Sequence, residues 1–203
     1  MFIRPVRLSA LIQYYPVAFA IVFIQCVLFM VMQLPFFPNQ GIYQGLTGVN
    51  LYIAQGEVWR LISPVFVHIH FSHLLLNSFS ILLLGPFLEH YFGKWKFSIL
   101  YFGSGIIANG MTFLLLPLTY HHAGASGAIF GLLGCYLAFL YVFKQSMPKT
   151  RQQTILIVIS FTMLTALLQP GTNTVAHLSG FIGGVALGLL ILKLKKGTAS
   201  LLK

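Results

Sequence analysis

Apolar residues fall into six long runs, and the short stretches between them hold nearly all of the charge. The runs cover residues 17–34, 74–88, 97–118, 126–143, 154–168 and 174–192. A helix crossing a bilayer needs about 20 predominantly apolar residues. The second and fifth runs are short by that measure. They reach it by taking in polar neighbours such as Ser72 and His73, by tilting, or by ending below the surface. Arg4 and Arg7 precede the first run, as in a signal peptide, but the run is too long for such a segment and no convincing small-residue cleavage site comes before Pro35. An uncleaved first helix is the expectation.

Composition agrees with this pattern. Of 203 residues, 58% are hydrophobic and 7% charged, against about 25% charged in soluble domains. The formal net charge of +10 does not point to nucleic acid, because the basic residues sit singly or in small groups between the apolar runs. Eleven of the twelve Lys and Arg fall on one set of alternate segments, and Arg60 alone falls on the other. The positive-inside rule then puts both termini in the cytoplasm, and the first, third and fifth loops outside. Cys26 and Cys135 both lie in apolar runs, so no disulfide framework is expected.

The first loop, residues 35–71, is long for a membrane connection. Gly41, Gly45, Gly48 and Gly56 interrupt it, yet it carries Tyr43, Tyr52, Trp59, Phe66 and Phe71. Aromatic side chains favour the membrane interface, which predicts a folded element lying there. Small residues predict which helices touch. Gly180, Gly184 and Gly188 recur every four residues with Gly183 beside them, and Gly127, Gly131 and Gly134 mark the fourth run. Such ridges allow close backbone approach in lipid, so the fourth and sixth helices are expected to pack together.

Polar groups inside the apolar runs carry the candidate chemistry. Gly124-Ala125-Ser126-Gly127 stands where a polar loop becomes an apolar helix. A helix N-terminus offers free N–H groups and the positive end of a dipole. His177 shares a face with Gly180, Gly184 and Gly188, and so faces the helix that Ser126 begins. Serine becomes nucleophilic when a base adjoins it. The chain has no Asp and only two Glu. Glu89 is expected a helix length away and Glu57 before the interfacial element, so an enzyme built here would use a Ser-His dyad. His73 and Asn77 are four residues apart on one helix face at the same side, and Ser80 continues the stripe. Imidazole and amide donors there could hold a developing oxyanion, or bond another helix.

Together, His68-x4-His73-x3-Asn77, Gly124-Ala125-Ser126-Gly127 and Ala176-His177-x2-Gly180-x2-Gly183 resemble the rhomboid family of intramembrane serine proteases. Trp59-Arg60, Glu89 and Gly93 also match rhomboid landmarks, which in that family are structural. The resemblance spans nearly the whole chain. It implies an all-α membrane protein of the compact six-helix type: one domain over residues 1–203, with the first loop at the interface. It implies Ser126 as nucleophile and His177 as general base. His73, Asn77 and the Ser126 N–H would form the oxyanion hole. Phe130 matches an aromatic position packed on the catalytic imidazole, where tyrosine is frequent, and His68 a supporting histidine near a water-filled entrance. Transmembrane protein substrates would enter beside the fifth helix, under a cap formed by Gln169-Pro170-Gly171-Thr172-Asn173. No cofactor, metal or nucleic acid is called for. The expected location is a bacterial cell membrane, with the site near the outer face.

Two rival readings accompany this one. A silent rhomboid-like protein would bind membrane clients without cutting them, which the presence of Ser126 and His177 opposes. A metal or proton transporter would use His68, His70, His73, His121 and His122, but no carboxylate or cysteine joins that cluster. The sequence assigns no role to His70, His121 or His122, and names no substrate or oligomeric state.

Overall fold

The computed structural model describes residues 8–34, 39–169 and 171–201. Arg4, Arg7, Pro35, Pro170 and Lys203 lie outside these. The helices in chain order are α1 (Leu8–Tyr14), α2 (Pro16–Gln33), α3 (Asn39–Leu46), α4 (Asn50–Ala54), α5 (Phe71–Phe92), α6 (Lys94–Leu115), α7 (Ser126–Phe143), α8 (Lys149–Leu168) and α9 (Thr174–Leu201). Six of them, α2 and α5 to α9, are long and apolar enough to cross a membrane. The protein is an all-α membrane bundle. The fourth apolar run coincides with α7. The second lengthens at both ends into α5, taking in Ser72, His73, Glu89 and His90. The fifth starts earlier than expected, at Lys149. The short α1 had no counterpart in the hydrophobic pattern.

Helix ends are fixed by polar groups from elsewhere in the chain. Pro16 opens α2, and both oxygens of buried Glu89 accept the N–H groups of Val17 and Ala18 at 2.9 Å. A carboxylate at this end also meets the positive pole of the helix. Gly93, at φ +81°, is the single residue between α5 and α6. That left-handed backbone suits glycine and turns one 22-residue helix directly into the next.

The first loop is folded, as its aromatics suggested. Buried Arg60 bonds Glu57 Oε2 through Nε at 2.7 Å, and it donates to the carbonyls of Gln44 (2.5 Å) and Thr47 (2.6 Å). Its guanidinium sits over the Tyr52 ring, and Trp59 Nε1 donates to Gly45 O. Residues Gly48–Val49 (β1) pair antiparallel with His121–His122 (β2), joining this loop to the segment before α7.

The helix in the middle is α7, the most buried of the six long helices. It packs on α9 through the two glycine ridges. A Cβ added at Gly180 would strike the Gly127 backbone, and one at Gly184 the Gly131 backbone. On its other side Gly127 meets Ala108 of α6, and Gly131 meets Ser104. In lipid, contact between helices comes from such close packing.

Candidate active site

Ser126 is the first residue of α7, and Ala125 before it supplies no side-chain cap. The entering turn is set by Gly124, which has φ +123° and donates its N–H to Pro64 O at 2.9 Å. The early N–H groups of α7 therefore have no intrahelical partner. Facing them is the first turn of α9. Asn173 precedes that helix, and its Oδ1 accepts the Ala176 N–H at 3.0 Å, an N-cap bond. Its backbone carbonyl accepts the His177 N–H at 3.1 Å.

This places His177 Nε2 2.9 Å from Ser126 Oγ. Phe130, one helical turn below Ser126, stacks on the imidazole with ring centroids 4.3 Å apart and planes 11° from parallel. His177 Nδ1 is buried and bonds no other group among the described residues. With the proton on Nδ1, Nε2 can accept the one hydroxyl hydrogen that Ser126 has. Neither carboxylate reaches this pair: Glu57 holds Arg60, and Glu89 caps α2.

His73 and Asn77 line the same cavity as Ser126, Phe130 and His177, a space of about 650 Å³. The His73 ring packs on Gly124, where a Cβ would collide with it. Asn77 Nδ2 lies 2.8 Å from His68 Nε2. An amide nitrogen only donates, so Nε2 is the acceptor and the second Asn77 hydrogen stays free for another partner. His68 is buried behind Asn77, not at an entrance, and its ring meets the His73 ring edge-on at 5.1 Å. Burial, reinforced by His73, pushes the His68 imidazole down to about 4. It is therefore neutral at pH 7, as an acceptor must be.

The remaining expectations divide. His70 and His121 are exposed at the cavity rim, and Ser80 lines the wall while donating to Leu76 O. His122 lies against Gly48 in the β1–β2 pairing, and burial followed by the charge of His121 lowers it to about 4. Gln169, Gly171, Thr172 and Asn173 border the cavity, and Thr162, Thr165 and Ala166 of α8 form its neighbouring wall. Pro170 lies outside the described residues. No group of three or more His, Cys, Asp or Glu among the described residues could hold a metal ion.

Sequence reasoning missed two connections. One is the His68–Asn77 bond. The other is Asn173, whose Nδ2 donates to Thr112 Oγ1 of α6 at 2.9 Å. An asparagine directly before an apolar helix is a recognisable N-cap signal, but its partner on α6 leaves no local trace.

The sequence model of the Rhomboid domain matches residues 55–194. YdcA of Bacillus subtilis (strain 168), by name a candidate rhomboid protease, is 40% identical over 196 residues, covering 97% of this chain and 98% of YdcA. Rhomboid protease GluP of the same organism is 34% identical over 69% of this chain, but that stretch is only 28% of GluP. Rhomboid-like protease 1 of Toxoplasma gondii is 34% identical over 68% of this chain and 48% of its own length. A family match over most of the chain, joined to a relative matched end to end, shows that this protein belongs to the rhomboid family.

Proposed function

We propose that the protein is an intramembrane serine endopeptidase that cuts transmembrane proteins with a Ser126–His177 dyad. The carrying observation is the 2.9 Å approach of His177 Nε2 to Ser126 Oγ at the open N-terminus of α7. His177 Nε2 takes the hydroxyl proton as Oγ attacks a peptide carbonyl. The oxyanion is held by His73, the free Asn77 N–H and the Ser126 backbone N–H. The tetrahedral adduct collapses to an acyl-enzyme as the imidazolium gives its proton to the leaving amine. Water, activated by the same nitrogen, then hydrolyses the ester and restores Ser126. The cavity gives water room at this depth.

The peptide bonds of a transmembrane helix are sheltered by their own hydrogen bonds. The substrate must therefore unwind locally, which small or helix-breaking residues ease. The loosely packed α8 and the 169–173 loop support entry on that side. The uneven distribution of Lys and Arg supports cytoplasmic termini and a cavity at the outer face, and the kinship with YdcA supports a bacterial cell membrane.

Cleavage of a single-span reporter in liposomes tests the reading. Ser126→Ala and His177→Ala each abolish cleavage in a folded protein, and Ser126→Ala also abolishes labelling by a fluorophosphonate. A tenth of the wild-type rate surviving in either variant refutes the dyad. A wild type that binds membrane proteins but neither cleaves nor labels would establish the client-binding alternative.

A further inference from the structure

We propose that Asn173 and Thr112 form a positioning tether that holds His177 in register with Ser126, doing by backbone placement what an acidic third member does in a triad. The proposal rests on the dyad reading above and deepens it.

The argument starts from what orients the imidazole. In a Ser-His-Asp triad, a carboxylate on Nδ1 fixes the ring. Here Nδ1 has no partner among the described residues, and neither carboxylate is within reach. The ring is held by Phe130 stacking and by its bond to Ser126. Stacking fixes the plane of a ring but leaves it free to slide within that plane. The height of His177 along the α7–α9 seam must therefore come from its backbone.

That backbone is tied at two atoms of one side chain. Asn173 Oδ1 accepts from Ala176 N, one residue before the histidine, and Nδ2 donates to Thr112 Oγ1. Thr112 is fully buried, and its own hydroxyl proton is donated to Ala108 O at 2.9 Å. Every donor and acceptor in this relay thus has a defined sense. Turning the Asn173 amide over would put an NH₂ against the Ala176 N–H, so only one orientation satisfies both ends.

The far end of the tether is itself fixed. Asn50 Nδ2 donates to the carbonyls of Thr112, Leu116 and Pro117, closing the C-terminal turn of α6. Ala108, one turn below Thr112, packs on Gly127 beside the serine. One stretch of α6 therefore touches the start of α7 through Ala108 and the start of α9 through Thr112. It sets the two reacting side chains against each other. Misplacing a catalytic group by about 1 Å can cost on the order of a hundredfold in rate.

Three variants separate the tether from the cap. Thr112→Val removes the acceptor and leaves the cap. Thr112→Ser restores an acceptor oxygen. Asn173→Ser keeps a capping oxygen but is too short to reach α6. We expect Thr112→Val and Asn173→Ser to lower kcat roughly ten- to a hundredfold with KM little changed. The rate of fluorophosphonate labelling of Ser126 should fall in parallel, since labelling needs the dyad but no peptide substrate. Thr112→Ser should return both rates to near wild type.

Hydrogen exchange at the Ala176 and His177 amides gives a readout that needs no activity, and it should quicken in Thr112→Val. Wild-type labelling in Thr112→Val and Asn173→Ser overturns the tether, as does a Thr112→Ser variant as slow as Thr112→Val. If wild type itself neither cleaves nor labels, the enzymatic reading fails. In that case, unchanged exchange overturns the tether and faster exchange upholds it as a structural clamp.

Discussion

Two helices border the candidate site, and they are held in opposite ways. The start of α9 is capped by Asn173, bonded to α6 through Thr112, and seated glycine on glycine along α7. Its neighbour α8 is the least buried of the six long helices, and Ile159 alone among its residues is buried. Phe161, Leu164, Leu167 and Leu168 are exposed, as lipid-facing residues of a membrane helix are. The difference matches the two demands of the proposed chemistry. A general base must be placed to a fraction of an ångström, whereas a route for a helical substrate needs an element that yields. Close packing is concentrated where α6, α7 and α9 meet, and α8 has the smallest buried share.

The largest effect should come from the seam. A side chain at Gly184 runs into the Gly131 backbone, which has no rotamer by which to give way. Gly184→Val should leave no folded protein in detergent. Gly184→Ala should cost at least the roughly 1–3 kcal/mol of ordinary overpacking and lower Tm accordingly. A Gly184→Ala protein melting like wild type would show that the seam tolerates separation and would remove the contrast with α8.

Next come the donors on α5, the third wall of the cavity. His73→Ala and Asn77→Ala should each lower kcat by ~10²–10³ with KM little changed. Their combined loss should be less than the product of the two, because they serve one oxyanion. Ser126 should remain reactive to a small electrophile in both. A large drop in Tm with near-normal kcat would make them packing residues and extend the rigid region to α5.

The contrast between the α7–α9 seam and α8 was only partly legible in the sequence. The ends of α7 were readable because Gly124 and Lys144 bracket an unbroken apolar run. The pairing of α7 with α9 was readable because glycines at spacing four have one use in lipid. The extent of α5 was readable at its start, where Ser72 and His73 could lengthen a short run, but not at its end, where Glu89 is buried against the start of α2. Mean hydropathy counts such residues as a helix end. The first loop was read as folded but not as to how. It is held by Arg60 on two carbonyls and by two-residue strands over seventy positions apart. Contacts of that separation leave no periodicity.

Acid should reach the rigid side of the site through His68. Its folded value near 4 lies below the ordinary 6.5, because burial disfavours the cation. Above pH 6.5 the native and unfolded chains are both neutral at this group, and its contribution is complete. As pH falls from 6.5 towards 4, the unfolded chain binds a proton that the native one refuses, so stability declines. The loss approaches roughly 3 kcal/mol by pH 4. His122 titrates in the same sense, so His68→Gln and His122→Gln should each flatten the Tm profile in part. Profiles identical in wild type and both variants would place the acid sensitivity elsewhere.

The smallest effects belong to α8, and they test the comparison within a single helix. Ile159 is its buried residue and packs with Phe130 and Leu133. Ile159→Ala should lower stability by about 2 kcal/mol, the low end for a buried isoleucine, because the site borders lipid that can fill part of the space. Phe161 lies two positions on and is exposed. In water its loss would relieve an apolar surface, but in lipid a phenylalanine and the acyl chain replacing it are nearly equivalent solvents for their neighbours. Phe161→Ala should therefore change stability by less than about 0.5 kcal/mol and reporter cleavage by less than about twofold. A Phe161→Ala protein that cleaves several-fold faster at unchanged Tm would show that even this weak contact restrains α8. The loose wall would then be a controlled one. A Tm loss as large as that of Ile159→Ala would mean that α8 is packed by a surface the monomer does not contain, and the distinction between a rigid α9 and a yielding α8 would have to be withdrawn.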